Sequence, residues 1–327
     1  PLAGSDDARM LPTLFEAAVV INSDIKDTTL IGAHVTRIAY GTFANGYAGS
    51  GTTAAAQTAT AELALVSGYG NRTQTTTGTN FVTDYKVGVF QSMGHAALGD
   101  SAKSSGVTAV AAIYKGIPGL TVQVWDYYAA EILNAIYAQA DYSWKCLLNP
   151  AATMTGSVQY IKESDMHDTL NLSSAPYYAV QLATKAGSFN AAAAYSATGK
   201  NNSASFGGNV ITPWGGMPAF TQGMVTRHQF FADTTAWKLS AGYNLKDLTS
   251  QDITASAYYT SFKVDSDNSY TKAVTTTEPG FDIIYNNAGI KNLQLRLRGN
   301  FPKDFRKVAN GETTSWKEYR VIANYNF

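Results

Sequence analysis

Hydrophobic and polar positions alternate along much of this chain with a period of two. In "TAWKLSAGYNL", Trp237, Leu239, Ala241, Tyr243 and Leu245 alternate with Lys238, Ser240 and Asn244. In "KNLQLRLRGN", Leu293, Leu295 and Leu297 alternate with Gln294, Arg296 and Arg298, and in "IYAQADYSW", Ile136, Ala138, Ala140, Tyr142 and Trp144 alternate with Gln139, Asp141 and Ser143. The closing stretch "SWKEYRVIANYNF" sorts likewise: Tyr319, Val321, Ala323, Tyr325 and Phe327 fall on one face, Glu318, Arg320, Ile322, Asn324 and Asn326 on the other. Successive side chains of a strand point to opposite faces, so each stretch predicts a strand with one apolar and one mostly polar face.

Roughly thirteen such segments of about ten residues are separated by turn or loop chemistry. They begin near Thr13, Thr29, Val107, Leu120, Asn134, Thr153, Pro176, Ser188, Thr234, Asp252, Pro279, Asn292 and Trp316. About ten residues suits a tilted strand crossing a bilayer and exceeds the usual soluble strand. "DYYAAEILNAIYAQA", from Asp126, has some helical period but merges into an alternating run and is read as strand, turn, strand. Short connections such as 115–119, 185–188 and 286–292 alternate with long ones at 42–105, 199–232 and 264–278. Residues 81–93 are a candidate for pairing inside the first long loop. Tight turns on one rim and extended loops on the other are the asymmetry of an outer-membrane barrel. Water-soluble sandwiches alternate too, but stripe after stripe ending in Tyr, Trp or Phe points to aromatic girdles at two lipid–water boundaries.

Composition agrees. The chain's 327 residues include 20 tyrosines and 28 glycines but only nine prolines, which suits a long β-protein. With 24 basic and 24 acidic residues the net charge is zero, so no nucleic-acid partner is indicated. The single cysteine, Cys146, excludes an internal disulfide framework and reads as a small apolar residue sharing a face with Tyr142 and Trp144. No run of roughly 18 apolar residues offers a transmembrane helix. The opening "PLAGSDDARMLP" lacks the apolar segment of a signal peptide and reads as internal to a longer protein.

Chemical motifs are sparse. His34, His95, His167 and His228 lack metal-ligand spacing, so neither a metal nor a cofactor is expected. "GYAGSG" lacks the lysine and the strand-turn-helix context of a phosphate loop or nucleophile elbow. No reaction is suggested, and the chain is not read as an enzyme. The exception is a set of basic residues on polar faces. Arg296 and Arg298 sit two apart on one strand, and Arg320 lies on the polar face of the last strand, beside them in a meander. Three guanidiniums at close quarters repel unless they face water or partners such as Asp282 and Glu318. Facing a lumen, they would form a ladder for anionic groups, because the arginine fork matches carboxylates. A merely solvated charged face accounts for the pattern equally well.

On these residues the chain resembles the OprD family of outer-membrane porins. "DDARMLPTLFEAAVVIN" followed by "DTTLIGAHVT" is similar to the segment leading from that family's inward-folded constriction loop into two strands. "NLQLRLRGNF" is similar to its paired-arginine strand and "KEYRVIANYNF" to its closing strand. The matches are short but collinear across nearly the whole chain. The resemblance implies an antiparallel transmembrane β-barrel of about eighteen strands when complete, so that about five strands precede residue 1 and residues 1–12 belong to the constriction loop. It also implies a basic ladder guiding carboxylate-bearing solutes, with Arg9 at the constriction and Arg296, Arg298 and Arg320 on the ladder. Where the family places a further arginine, this chain has Ser240, with Lys238 two residues away, which weakens any narrow preference for basic amino acids.

The expectation is a single all-β barrel domain over 1–327, in the outer membrane of a Gram-negative bacterium, passing small polar solutes without chemistry. Its pore would be lined by Arg9, Lys238, Arg296, Arg298 and Arg320 with Asp282 and Glu318. Outer-membrane lipid, small solutes and the barrel-assembly machinery would be its partners, with the C-terminal Phe part of the assembly signal. The solute, pore diameter and number of chains per assembly stay open, a homotrimer being one candidate. Two alternatives also stay open: a soluble or surface-displayed adhesin or carbohydrate-binding β-protein, and a hydrolase in a barrel.

Overall fold

The computed structural model describes residues 13–39, 88–98, 104–166, 171–203, 208–211, 214–267, 271–286 and 289–326. Arg9, His167 and Phe327, with the expectations attached to them, lie outside the described residues, as do residues 1–12 and most of 42–105. The strands are β1 (Leu14–Asn22), β2 (Thr28–Ala39), β3 (Phe90–Ser92), β4 (Val107–Tyr114), β5 (Leu120–Ala129), β6 (Leu133–Lys145), β7 (Ala152–Asp165) and β8 (Tyr177–Ala186). They continue as β9 (Phe189–Thr198), β10 (Thr234–Asn244), β11 (Asp252–Val264), β12 (Val274–Asn286), β13 (Leu293–Asn300), β14 (Arg306–Lys307), β15 (Thr313–Thr314) and β16 (Glu318–Tyr325). One 14-stranded sheet runs in the order β1-β2-β4-β5-β6-β7-β8-β9-β10-β11-β12-β13-β16, with β3 added to β2. Every pairing is antiparallel between neighbours, as in an up-and-down barrel wall, and β1 and β16 end the order. β14 and β15 form a separate hairpin.

Most boundaries fall within a residue or two of those the alternation predicts. The segment from Asp126 is strand, turn, strand: β5 and β6 are joined through Glu131, whose positive φ of 59° closes a tight turn on the rim otherwise occupied by long connections. Of the segment 81–93, Phe90–Ser92 pairs with the wall strand β2 at Arg37–Ala39 rather than within the loop, and residues 81–87 lie outside the described residues. The larger difference is β12, which begins at Val274 rather than Pro279 and shortens the preceding loop. Proline inside a strand lacks a ladder donor. Pro279 is tolerated because it sits just beyond the regular β12–β13 pairing, which starts at Gly280 and Asn300; there its carbonyl still accepts the Phe301 N–H at 3.0 Å.

The two faces separate as expected. Along β10, Trp237 and Leu239 are exposed while Thr234, Ala236 and Gly242 are buried. The outward stripes of the other strands carry Val110, Val124, Ile136, Val180, Leu297 and Val321. Aromatic residues close both ends of these stripes. Toward the long loops stand Tyr128, Tyr178, Tyr195, Trp237, Tyr259 and Tyr319, and toward the short turns Tyr114, Tyr142, Phe189 and Tyr325. Trp144 and Tyr243 are half-buried on this outer face, Trp144 stacked on Tyr142 at 5.8 Å. Trp237 and Tyr243 are roughly 20 Å apart along β10, close to the height of a barrel's apolar band.

The inner face is not empty. Near the long-loop rim, Trp214, Met217, Phe230 and Phe231 from the β9–β10 connection pack fully buried against Tyr137, Ile161, Tyr177 and Val264 of the wall. Trp214 donates its indole N–H to the Met93 carbonyl at 2.9 Å, tying this connection to the short helix α1 (Met93–Leu98). The apolar core therefore lies inside the curved sheet, where loops from one rim fold down onto the wall.

Candidate functional site: a charged wall beneath an inward loop

Three strands bring the charged residues together. On β12, β13 and β16, Asp282 pairs in register with Arg298 and Arg298 with Arg320. Strands lie about 4.8 Å apart, so the three side chains stand side by side on the inward face. Arg296 grips Asp282 through Nε, at 2.8 and 2.9 Å to the two carboxylate oxygens, and through a terminal nitrogen. Arg298 shares that carboxylate, its Nε 3.3 Å from Oδ2. Arg320 pairs with Glu318 on its own strand, and Glu318 also accepts from Asn300 Nδ2 at 3.3 Å. These charged side chains are only 11–24% exposed, so their fields are less screened than those of surface pairs. Three guanidiniums against two carboxylates leave the patch one net positive charge.

Lys238 is on the same inner face but not in the patch. Its Nζ donates to the Gln222 carbonyl at 2.8 Å and lies 5.0 Å from the centre of the Tyr258 ring. The lysine is thus engaged with a loop carbonyl, apart from the arginine cluster. His34 is satisfied by Thr108 Oγ1 (3.0 Å) and the Ser105 carbonyl (3.1 Å), and no metal-binding cluster occurs among the described residues. Cys146 lies just past β6, half-buried.

Two carboxylates absent from the expected site organise the loop above the patch. Glu278, fully buried on β12, accepts the backbone N–H groups of Met224 (2.7 Å) and Thr226 (2.8 Å), longer contacts from Val225 (3.3 and 3.4 Å), and the Tyr258 hydroxyl. Glu163, fully buried on β7, accepts the Ile211 N–H at 2.8 Å. Buried carboxylates are tolerable only with such partners. A strand that starts at Pro279 places Glu278 in a loop, whereas as a residue of β12 it shares the inward parity of Asp282. That parity was the available signal. His228, in the same connection, donates from Nε2 to the Phe305 carbonyl at 2.7 Å, and Phe231 and Phe305 meet its ring edge-on.

No family model matches the sequence, and no curated protein matches it. Solved structures do. OccK9 (OpdG) of Pseudomonas aeruginosa superposes with a TM-score of 0.71 over 99% of this chain and 69% of that one, at 15% identity. This is the fold of an outer-membrane porin. The outer-membrane protein OpdK of Pseudomonas aeruginosa gives a TM-score of 0.71 at 12% identity, covering 99% of this chain and 72% of that one. OccK3 (OpdO), also from Pseudomonas aeruginosa, gives 0.67 at 16% identity over 99% and 72%. The antiparallel strand order expected from alternation is thus the observed one, in a fold shared with outer-membrane β-barrels. In the described residues the sheet ends at β1 and β16 without closing on itself.

Proposed function

We propose that this chain forms the wall of a passive outer-membrane channel for small polar solutes, with a preference for carboxylate-bearing ones. The observation that carries the reading is the patch itself: Arg298, in register between Asp282 and Arg320, shares one carboxylate with Arg296. A patch with more guanidinium than carboxylate, facing the inside of a porin fold, enriches anions locally although the chain as a whole is neutral. An entering carboxylate can exchange for part of the Asp282 contact at little cost, because arginine forks bind any carboxylate in the same geometry. The likeness to OpdK, whose structure with vanillate is an aromatic carboxylate complex, agrees with this preference.

A competing reading has a specific basis: Arg296 is held by both oxygens of Asp282 and Arg320 by Glu318, so the arginines could serve only to pin the wall. Planar-bilayer recordings of the purified protein separate the two. Replacing Arg296 and Arg298 together by Gln should shift the reversal potential in a salt gradient toward cations and slow carboxylate uptake into liposomes. An unchanged reversal potential would leave a porin wall without a basic ladder.

A further inference from the structure

We propose that Glu278 and Gly223 are positioning residues for the channel's aperture: the Glu278 carboxylate latches the turn 221–226 onto β10–β12, directly on the long-loop side of the arginine patch. This rests on the porin reading.

The turn is fastened by side chains of three adjacent strands. Thr260 of β11 donates to the Thr221 carbonyl at 2.7 Å, Lys238 of β10 donates to the Gln222 carbonyl at 2.8 Å, and Glu278 of β12 receives the amides of residues 224–226. Consecutive backbone N–H groups converging on one carboxylate form an anion-binding nest. Gly223 is part of its shape: a Cβ there would lie 2.5 Å from Glu278 Oε2. The Tyr258 hydroxyl closes the cluster from the next strand and accepts the Met224 N–H at 3.1 Å. Its ring lies across Gly280, where a Cβ would meet ring atoms at 2.5 Å, filling the wall between Glu278 and Asp282. Glu278 and Asp282 share the inner face of β12, roughly 13 Å apart along the strand.

The chemistry of these contacts indicates placement rather than bulk adhesion. The same connection is already held by apolar burial of Trp214, Met217, Phe230 and Phe231. Burying a carboxylate and a lysine adds little net stability over well-packed apolar groups, but it fixes a geometry. What it fixes is the lowest part of the loop, just above Arg298. Without the latch, residues 223–226 are released from β12 while Thr221, Gln222 and the apolar part stay docked, which changes the opening and not the barrel.

Two variants test this. Glu278→Gln removes the charge that gathers the amides, and Gly223→Ala displaces the carboxylate while leaving the sequence of the wall unchanged. Both should retain the heat-modifiable gel migration of a folded barrel, raise the single-channel conductance with noisier open levels, and expose the Arg227 peptide bond to trypsin. Because they break one latch, the double variant should do no more than the stronger single one. Wild-type conductance and wild-type tryptic protection in both variants, or additive effects, would overturn the latch. So would loss of the folded barrel in Gly223→Ala, since a latch releases without unfolding its frame. A wild type that never conducts would defeat the porin reading instead, while trypsin still reports on the latch.

Discussion

Arg298 concentrates the electrostatics of the wall because it is the second guanidinium on a carboxylate already gripped by Arg296. Asp282→Asn should therefore raise the patch from one net positive charge to two, moving the reversal potential further toward anions, opposite in sign to loss of the arginines. A shift toward cations would show that Asp282 is not the neutralising partner. His228 makes a different residue-scale prediction. Burial pushes its imidazole down to about 4, outweighing the hydrogen bond to Phe305, so the packed loop holds it neutral. An opened loop would let it titrate near 6.5, so the packed state keeps its full stability above that value. It loses stability progressively as the pH falls toward the lower value. Hydrogen exchange at Phe230 and Phe231, corrected for intrinsic rates, should accelerate over this range, and His228→Gln should flatten the profile; identical profiles would contradict the assignment. At this scale the sequence was partly legible. The arginines, Asp282 and Glu318 announce themselves by parity on recognisable strands. The roles of Lys238, Glu278 and His228 were hidden because their partners are backbone groups of a loop with no periodicity.

Strands are the most legible elements, because a wall with lipid on one side and water or folded loops on the other enforces a strict period of two. β12 shows the limit: its first residues, Thr275, Thr276 and Thr277, carry no apolar–polar alternation, so the strand is legible only from Pro279 onward. The loops were legible only as lengths. Residues 214–233 combine fully buried aromatics with buried Thr and Gln, and the inner wall supplies polar partners there: Gln159 accepts the Phe220 N–H at 3.3 Å, Thr198 donates to the Gln229 carbonyl, and Ser196 meets Thr221 at 2.7 Å. The outward assignment is testable on β13. Leu297 sits midway along it, facing away from Arg296 and Arg298, and Leu297→Arg should cost roughly 2–4 kcal/mol in urea unfolding from lipid vesicles. Leu295, two residues nearer the short-turn rim, should cost less. Equal and negligible costs would mean that this face does not meet hydrocarbon.

For the whole molecule, two aromatic belts and one apolar outer band follow from the same alternation repeated strand after strand, while the inner face divides between a charged patch and an apolar core of docked loops. Zero net charge at this scale coexists with a basic spot at the residue scale, because charge is sorted by face and depth rather than by composition. The sequence could not show how the loops sit in the lumen, since those contacts join residues far apart in the chain. The most direct test is the reversal potential of the wild-type protein in a planar bilayer under a potassium chloride gradient. The account predicts steady conductance without any added ligand and a reversal potential on the chloride side of zero. Absence of conductance by a folded protein, or a reversal potential on the potassium side, would contradict it.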